Sequence, residues 1–411
     1  MTKTEIVEAA FRVWGRNFYL KTSLSQLAGE LKVSKPALYR HFKNKQALTA
    51  AMTESFLDNF AASIRADFEK AQKAADIDEG IFTIIQSISG YFARNVYFLI
   101  FSLTNIYDRN LNGRAISERL KTRGVDLGML KKLIEKKYAV DTSVDTSVNT
   151  VVIQLIFASL TFLMSHFHKT RNTFENLPAD EDIEKTITDI KKIIESGLGL
   201  TAEKVNSLDF EKLEKQVDGT MLNTEPEPLF KAVAEAVAQA GPWNASMDMV
   251  AKRLGLSSKS SLYGHFKNRK DMLRRLFITE FKRIIEFARQ GINMSSEASQ
   301  QLYLGIFSIA IYLGSRPEIL TAMDWIRTRK LDLGRPDKQI GIFRLFEDLD
   351  IERFKNADED DKQRLSRWIL FLLINTLMRP IQIKKGQQAG FNNDIRVLYK
   401  FITLGLGGFK R

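Results

Sequence analysis

Ser34, Lys35, Ala37, Tyr39, Arg40 and His41 lie within one short stretch, and Ser258, Lys259, Ser261, Tyr263 and His265 repeat its pattern far downstream. Small, hydroxylic and cationic side chains at the start of a short helix are suited to DNA. They are compact enough to enter a groove, and they carry the donors that base edges and phosphates accept. Tyr39 and His41, like Tyr263 and His265, can reach phosphates from the flank. Lys45 and Arg269 each sit where a longer helix begins, so backbone amides add to their attraction for phosphate. Ser23 and Ser246 complete the candidate DNA-contact set at the start of the preceding helix. No catalytic set competes with this reading. The chain has no cysteine, which removes thiolate nucleophiles and cysteine-zinc sites. It has no phosphate-cradling P-loop, dinucleotide fingerprint or nucleophile elbow. His166 and His168 are two apart and would face different sides of a helix, which makes a poor metal pair. The expectation is no enzyme, no catalytic residue, no cofactor and no metal.

The elements that must hold these residues can be read from periodicity. Ile6, Ala10, Val13 and Trp14 form one helical stripe, and Leu24, Leu27, Ala28 and Leu31 a second. Ser23 is placed to cap the second helix, with Gln26 three residues on. Ser34 caps a third helix that tolerates Pro36 in its first turn. Leu38 and Phe42 would face the core, and Asn44 caps a fourth, longer helix. This is a helix-turn-helix, which puts its second helix into the major groove. In the second module Gly255 suits a left-handed turn residue; the first has Lys32 there, so strain or a different turn is expected.

The module occurs twice. Leu38-Tyr39-Arg40-His41-Phe42-Lys43-Asn44-Lys45 returns as Leu262-Tyr263-Gly264-His265-Phe266-Lys267-Asn268-Arg269, with one extra residue in the turn around Ser257 and Ser258. Weaker echoes follow in the same order. Lys121-Thr122-Arg123 with Asp126-Leu127-Gly128 resembles Arg327-Thr328-Arg329 with Asp332-Leu333-Gly334. Ile193 to Gly199 resembles Phe401 to Gly407. We read a duplicated unit of about 200 residues. Charge follows the same division. Residues 1–50 carry nine Lys/Arg against three Glu, and residues 229–278 nine against three Asp/Glu, within a net charge of +12. Two equally basic modules therefore sit on a nearly neutral scaffold. Residues 201–228 are polar, close with Glu225-Pro226-Glu227-Pro228, and read as a linker in which Val205 to Val217 forms a short helix.

The run from Ser34 to Leu48 resembles the recognition helix and helix-four start of the TetR family of bacterial transcriptional regulators. The resemblance is strong over roughly residues 4–50 and 229–276. It implies an all-α fold of two tandem units, each with a three-helix DNA-binding domain (1–50 and 229–276) and a helical effector and dimerisation domain (51–200 and 277–411). It also implies pairing helices at Val151 to His168 and Ile183 to Gly197, matched by Leu365 to Met378 and Asp394 to Leu406. Paired within one chain, the copies would form an internal pseudo-dimer whose assembly does not depend on concentration. Because Arg40 stands opposite Gly264 and Pro36 opposite Ser260, the expected operator has two non-identical half-sites.

The resemblance further implies a repressor released by a small effector. Aromatic residues between the basic modules and the pairing helices offer an apolar lining: Phe92, Phe98 and Phe101 in the first copy, Tyr312 and Trp325 in the second. The expected partners are double-stranded DNA and such an apolar effector. The chain is expected to act mostly as a monomer, with a homodimer bearing four heads as the alternative. The N-terminus lacks a targeting signal, and Val151 to Met164 falls short of a spanning helix, so a cytoplasmic protein without a membrane partner is expected. The competing reading is a DNA-binding scaffold in which the second helix-turn-helix is mainly structural.

Overall fold

Alternation of apolar and polar residues at helical spacing dictates the architecture. In a computed structural model of the chain, residues 1–16, 19, 23–106, 113–138, 147–218, 227–328, 341–378 and 388–409 are described, and they contain helices and no strand. The fold is all-α. By internal packing the described residues divide into one unit within 1–138 and 159–192 and another within 147–158 and 193–409.

The first unit opens with α1 (Lys3–Arg16), α2 (Leu24–Glu30) and α3 (Lys35–Tyr39). Ile6, Ala10, Trp14, Leu27, Leu38 and Phe42 are buried together, so the predicted stripes do face one another. α4 (Lys45–Lys73) leaves this head, and α5 (Ile77–Arg94) packs against it. α6 (Val96–Phe101), α7 (Gly113–Lys121) and α8 (Gly128–Lys137) follow, then α9 (Ser147–Thr170) and α10 (Asp180–Ser196). Val151–Thr170 of α9 has a mean hydropathy of 1.6 and is long enough to cross a membrane, which corrects the shorter reading of that run; 61% of it is buried within the protein.

The second unit includes α11 (Ala202–Asn206) and α12 (Phe210–Asp218). The single short helix expected over Val205 to Val217 is thus two, broken at Ser207–Asp209. This connector is docked: Val205, Leu213, Glu214 and Val217 are all buried. The candidate second module lies in α13 (Pro228–Ala240) and α14 (Met247–Arg253) and a 3₁₀ turn over Lys259–Gly264. α15 (Arg269–Ile292), α16 (Ala298–Gly314), α17 (Pro317–Thr328), α18 (Glu352–Lys355), α19 (Glu359–Leu377) and α20 (Gln388–Leu404) build the rest. Of the weak repeat echo, Arg329 and Asp332-Leu333-Gly334 lie outside the described residues.

The ends of α10 and α20 meet within this unit. Leu198 N–H donates to Ile402 O at 2.8 Å, and Gly199 N–H to Thr403 O at 3.1 Å. Gly197 and Gly405 both have φ +58°. A Cβ on Gly197 would press on Ile402 O and lie 2.8 Å from Gly405 N; one on Gly405 would lie 2.5 Å from Ile194 O. Only glycine permits both the backbone conformation and the approach.

Candidate nucleic-acid interface

The first head presents its candidate residues as the spacing requires. Gln26 N–H donates to Ser23 Oγ at 3.1 Å, Ala37 N–H to Ser34 Oγ at 3.4 Å, and Ala47 N–H to Asn44 Oδ1 at 2.8 Å. Three predicted caps thus fix where α2, α3 and α4 begin. Ser23 and Ser34 spend their acceptors on their own helices, and their hydroxyl protons are left for another partner. Leu38 anchors α3 in the core while Lys35, Arg40 and Tyr39 stand outward, with Tyr39 52% exposed. Ala37 and His41 are half-buried beside them. Lys35, Arg40 and Lys43 have no ion pair among the described residues. Uncompensated cations around an exposed helix form a footprint for a polyanion. The Lys45 ammonium lies 5.8 Å from the centre of the Trp14 ring, and partial burial there lowers its pKa from the ordinary lysine value.

The turn between α2 and α3 carries the expected strain. Lys32 has φ +53°, where its counterpart Gly255 has φ +68°. The hydrogen bonds around both turns are the same: Val33 N–H to Ala28 O and Leu256 N–H to Ala251 O, each 3.0 Å. The shared fold of the turn imposes the left-handed conformation, and lysine tolerates it at a cost.

The candidate second module differs in three ways. The stretch aligned with α3 is a 3₁₀ turn, and Ser258 Oγ accepts from Ser260 N–H, two residues on, at 3.2 Å. The turn before it carries the added residue, and Ser260 and Gly264 replace Pro36 and Arg40 within it. Lys259 Nζ pairs with Asp248 at 3.3 Å, where the first head has Ser25 opposite. Arg269 donates to the carbonyls of Pro242, at 3.4 Å, and Trp243. Ser246 caps α14 by accepting from Met249 N–H at 3.2 Å. Ser261, Gly264, His265 and Tyr263 are exposed, the last 54%. Asp248 and Asp271 are what motif reading passed over. Their signal was the change from Ser25 and Ala47 to carboxylates within an otherwise repeated module.

Of the candidate effector residues, Phe98, Phe101 and Trp325 pack against the neighbouring candidate DNA-binding module, whereas Phe92 and Tyr312 lie within the helical bodies. Phe98 meets Phe11 of α1 edge-on at 4.6 Å, and fully buried Phe101 meets it at 5.0 Å. Phe92 stacks on Phe60 at 5.6 Å, and its carbonyl accepts from His168 Nε2–H at 2.7 Å. In the second unit Trp325 meets Trp243 at 5.8 Å, and buried Tyr312 donates to Glu280, which also pairs with Arg316 at 3.0 Å. An open cleft of about 460 Å³ in the first unit is lined instead by polar residues, among them Ser63, Asp67, Lys70, Ser87 and Arg94.

Known proteins bear on this head. Residues 6–52 match the family described as bacterial regulatory proteins, tetR family. The chain therefore carries a TetR-type N-terminal DNA-binding domain. Among solved structures, the TetR family transcriptional regulator PfmR from Thermus thermophilus is 19% identical over 47% of this chain and 95% of its own, with a TM-score of 0.29.

Proposed function

We propose that this chain is a sequence-specific, non-enzymatic transcriptional regulator, a ligand-responsive repressor in which two TetR-like copies pair within one chain on a two-half-site operator. The observation that carries the DNA-binding reading is the capped first head, with Lys35 on α3 and Arg40 at its C-cap exposed and without an ion pair among the described residues. Internal pairing is supported by the mutual approach of Gly197 and Gly405, whose surrounding sequences echo one another. In a two-fold interface each residue touches its counterpart's neighbours, and here Ile402 O and Ile194 O play matching parts. The effector is a small apolar molecule, felt at the first head through the Phe11, Phe98 and Phe101 joint.

Unlike heads favour an asymmetric operator. Arg40 offers bidentate donors that Gly264 lacks. The second reading, in which the second head is mainly structural, is favoured by its 3₁₀ turn and by the Lys259–Asp248 pair. Selection of DNA from a random pool at fixed salt, with wild type and with Lys35→Ala/Arg40→Ala and Lys259→Ala variants, tests both. A bipartite asymmetric site whose second half is lost in Lys259→Ala supports two working heads. One half-site alone favours the structural second head. No enrichment of any sequence would sink the regulator reading.

A further inference from the structure

The connector between the copies brings a carboxylate into the interior of the second unit. Glu214 is 4% exposed. Arg396 grips it with two parallel hydrogen bonds, Nε to Oε1 and Nη2 to Oε2, each 2.7 Å. Tyr303 Oη donates to Oε1 at 2.5 Å and Asn392 Nδ2 to Oε2 at 2.9 Å. This is a complete recognition set: charge, bidentate geometry and two neutral donors on one carboxylate. Four residues earlier, on the same face of α12, Phe210 packs edge-on against Tyr303 at 4.8 Å and Tyr399 at 5.9 Å. The Arg396 guanidinium lies 5.8 Å from the centre of the Phe210 ring.

We propose that this is a binding site for an aromatic carboxylic acid in which the chain's own α12 is the permanent occupant, with Phe210 as the ring and Glu214 as the acid. A burial of this kind needs its partners. A lone carboxylate would not leave water, and the half-buried Arg396 supplies the countercharge that lets Glu214 do so. The site belongs to the second copy alone. In the register that aligns Gly197 with Gly405, the first copy has Glu184 and Thr188 where Asn392 and Arg396 stand. A tethered occupant competes at an effective concentration of about millimolar or more, so free acids at micromolar levels do not displace it. The second body is therefore self-liganded, and sensing falls to the first. That regulatory consequence rests on the two-copy, ligand-responsive reading; the site itself does not.

Titration calorimetry of the full chain with 4-phenylbutanoate tests it. The Phe210→Ala/Glu214→Ala variant should bind the probe at least about tenfold more tightly than wild type, and Arg396→Met added to it should remove the gain. Hydrogen exchange on the unaltered chain gives a readout free of folding defects: amides of residues 210–217 should be protected. A folded double variant that binds no better than wild type, binding indifferent to Arg396→Met, or exchange at unfolded-chain rates would each overturn the proposal. DNA-release assays keep the two readings apart. If the opened site binds the probe yet no ligand frees wild type from DNA, the filled site stands and the ligand-responsive reading falls.

Discussion

Gly197 and Gly405 share the same left-handed backbone, φ +58°, and each lies against the backbone beside the other. A methyl group on either would have to displace a peptide group, which a flexible side chain could yield to but a backbone cannot. Gly197→Ala or Gly405→Ala should each destabilise the second unit by about 2–4 kcal/mol, combining left-handed strain with overpacking. Because both act at one contact, the double variant should fall short of the sum. Urea unfolding of the three variants checks this.

Lys32 stands in the left-handed region where Gly255 stands in the second head. Lys32→Gly should stabilise the first head by about 0.5–1 kcal/mol, and Gly255→Ala should cost the second about as much. Thermal melts decide the sign. A destabilised Lys32→Gly would mean that the lysine side chain contributes more than its backbone costs.

His168 is buried, donating to Phe92 O and accepting from the Thr173 hydroxyl. Burial holds its pKa down, from 6.5 to about 4. The unfolded chain therefore takes up a proton at higher pH than the folded one. Stability from the neutral ring is complete above about pH 6.5 and is lost as pH falls toward 4, by up to about 3 kcal/mol. His168→Gln should flatten the stability profile between those values. An unchanged slope would assign the acid sensitivity to other groups.

Arg40→Ala should cost about 1–3 kcal/mol of DNA binding and relax base preference at one position. Lys35→Ala should weaken binding more uniformly and lower the salt slope by about one if it meets a phosphate. Asp248→Ser frees Lys259 and should strengthen second-half-site protection by about threefold, in line with the modest worth of an exposed pair. Footprinting at two salt concentrations reads all three. If Asp248→Ser leaves the second half-site untouched, the second head is structural.

Much of the first head was legible because local chemistry governs it. Ser23, Ser34 and Asn44 cap the helices their spacing predicts, and Leu38 and Phe42 are buried one turn apart. The 3₁₀ turn over Lys259–Gly264 was not legible, since the repeated Leu-Tyr-x-His-Phe-Lys-Asn pattern is the same whether the short element winds as α or 3₁₀. Glu214 was hidden for another reason. Among Glu211, Lys212 and Lys215 it reads as one more solvated charge, and only the stripe of Phe210, Leu213 and Val217 beside it hinted at docking. Its partners Tyr303, Asn392 and Arg396 lie far along the chain, at separations of 89, 178 and 182 residues. Phe98 and Phe101 stand as candidate lining residues on composition and spacing alone, because aromatic residues at helical spacing look alike whether they enclose a cavity or fill one.

The joint formed by Phe11, Phe56, Phe98 and Phe101 packs the first head against α4 and α6. At 1.5 Å per residue, the 29 residues of α4 make a rod of roughly 43 Å. A tilt of about 5° at its far end would swing the head by nearly 4 Å, about the rise of one base pair. If the first unit moves as one body, a displacement at the far end too small to break any packing contact becomes, at the head, a whole step along a double helix.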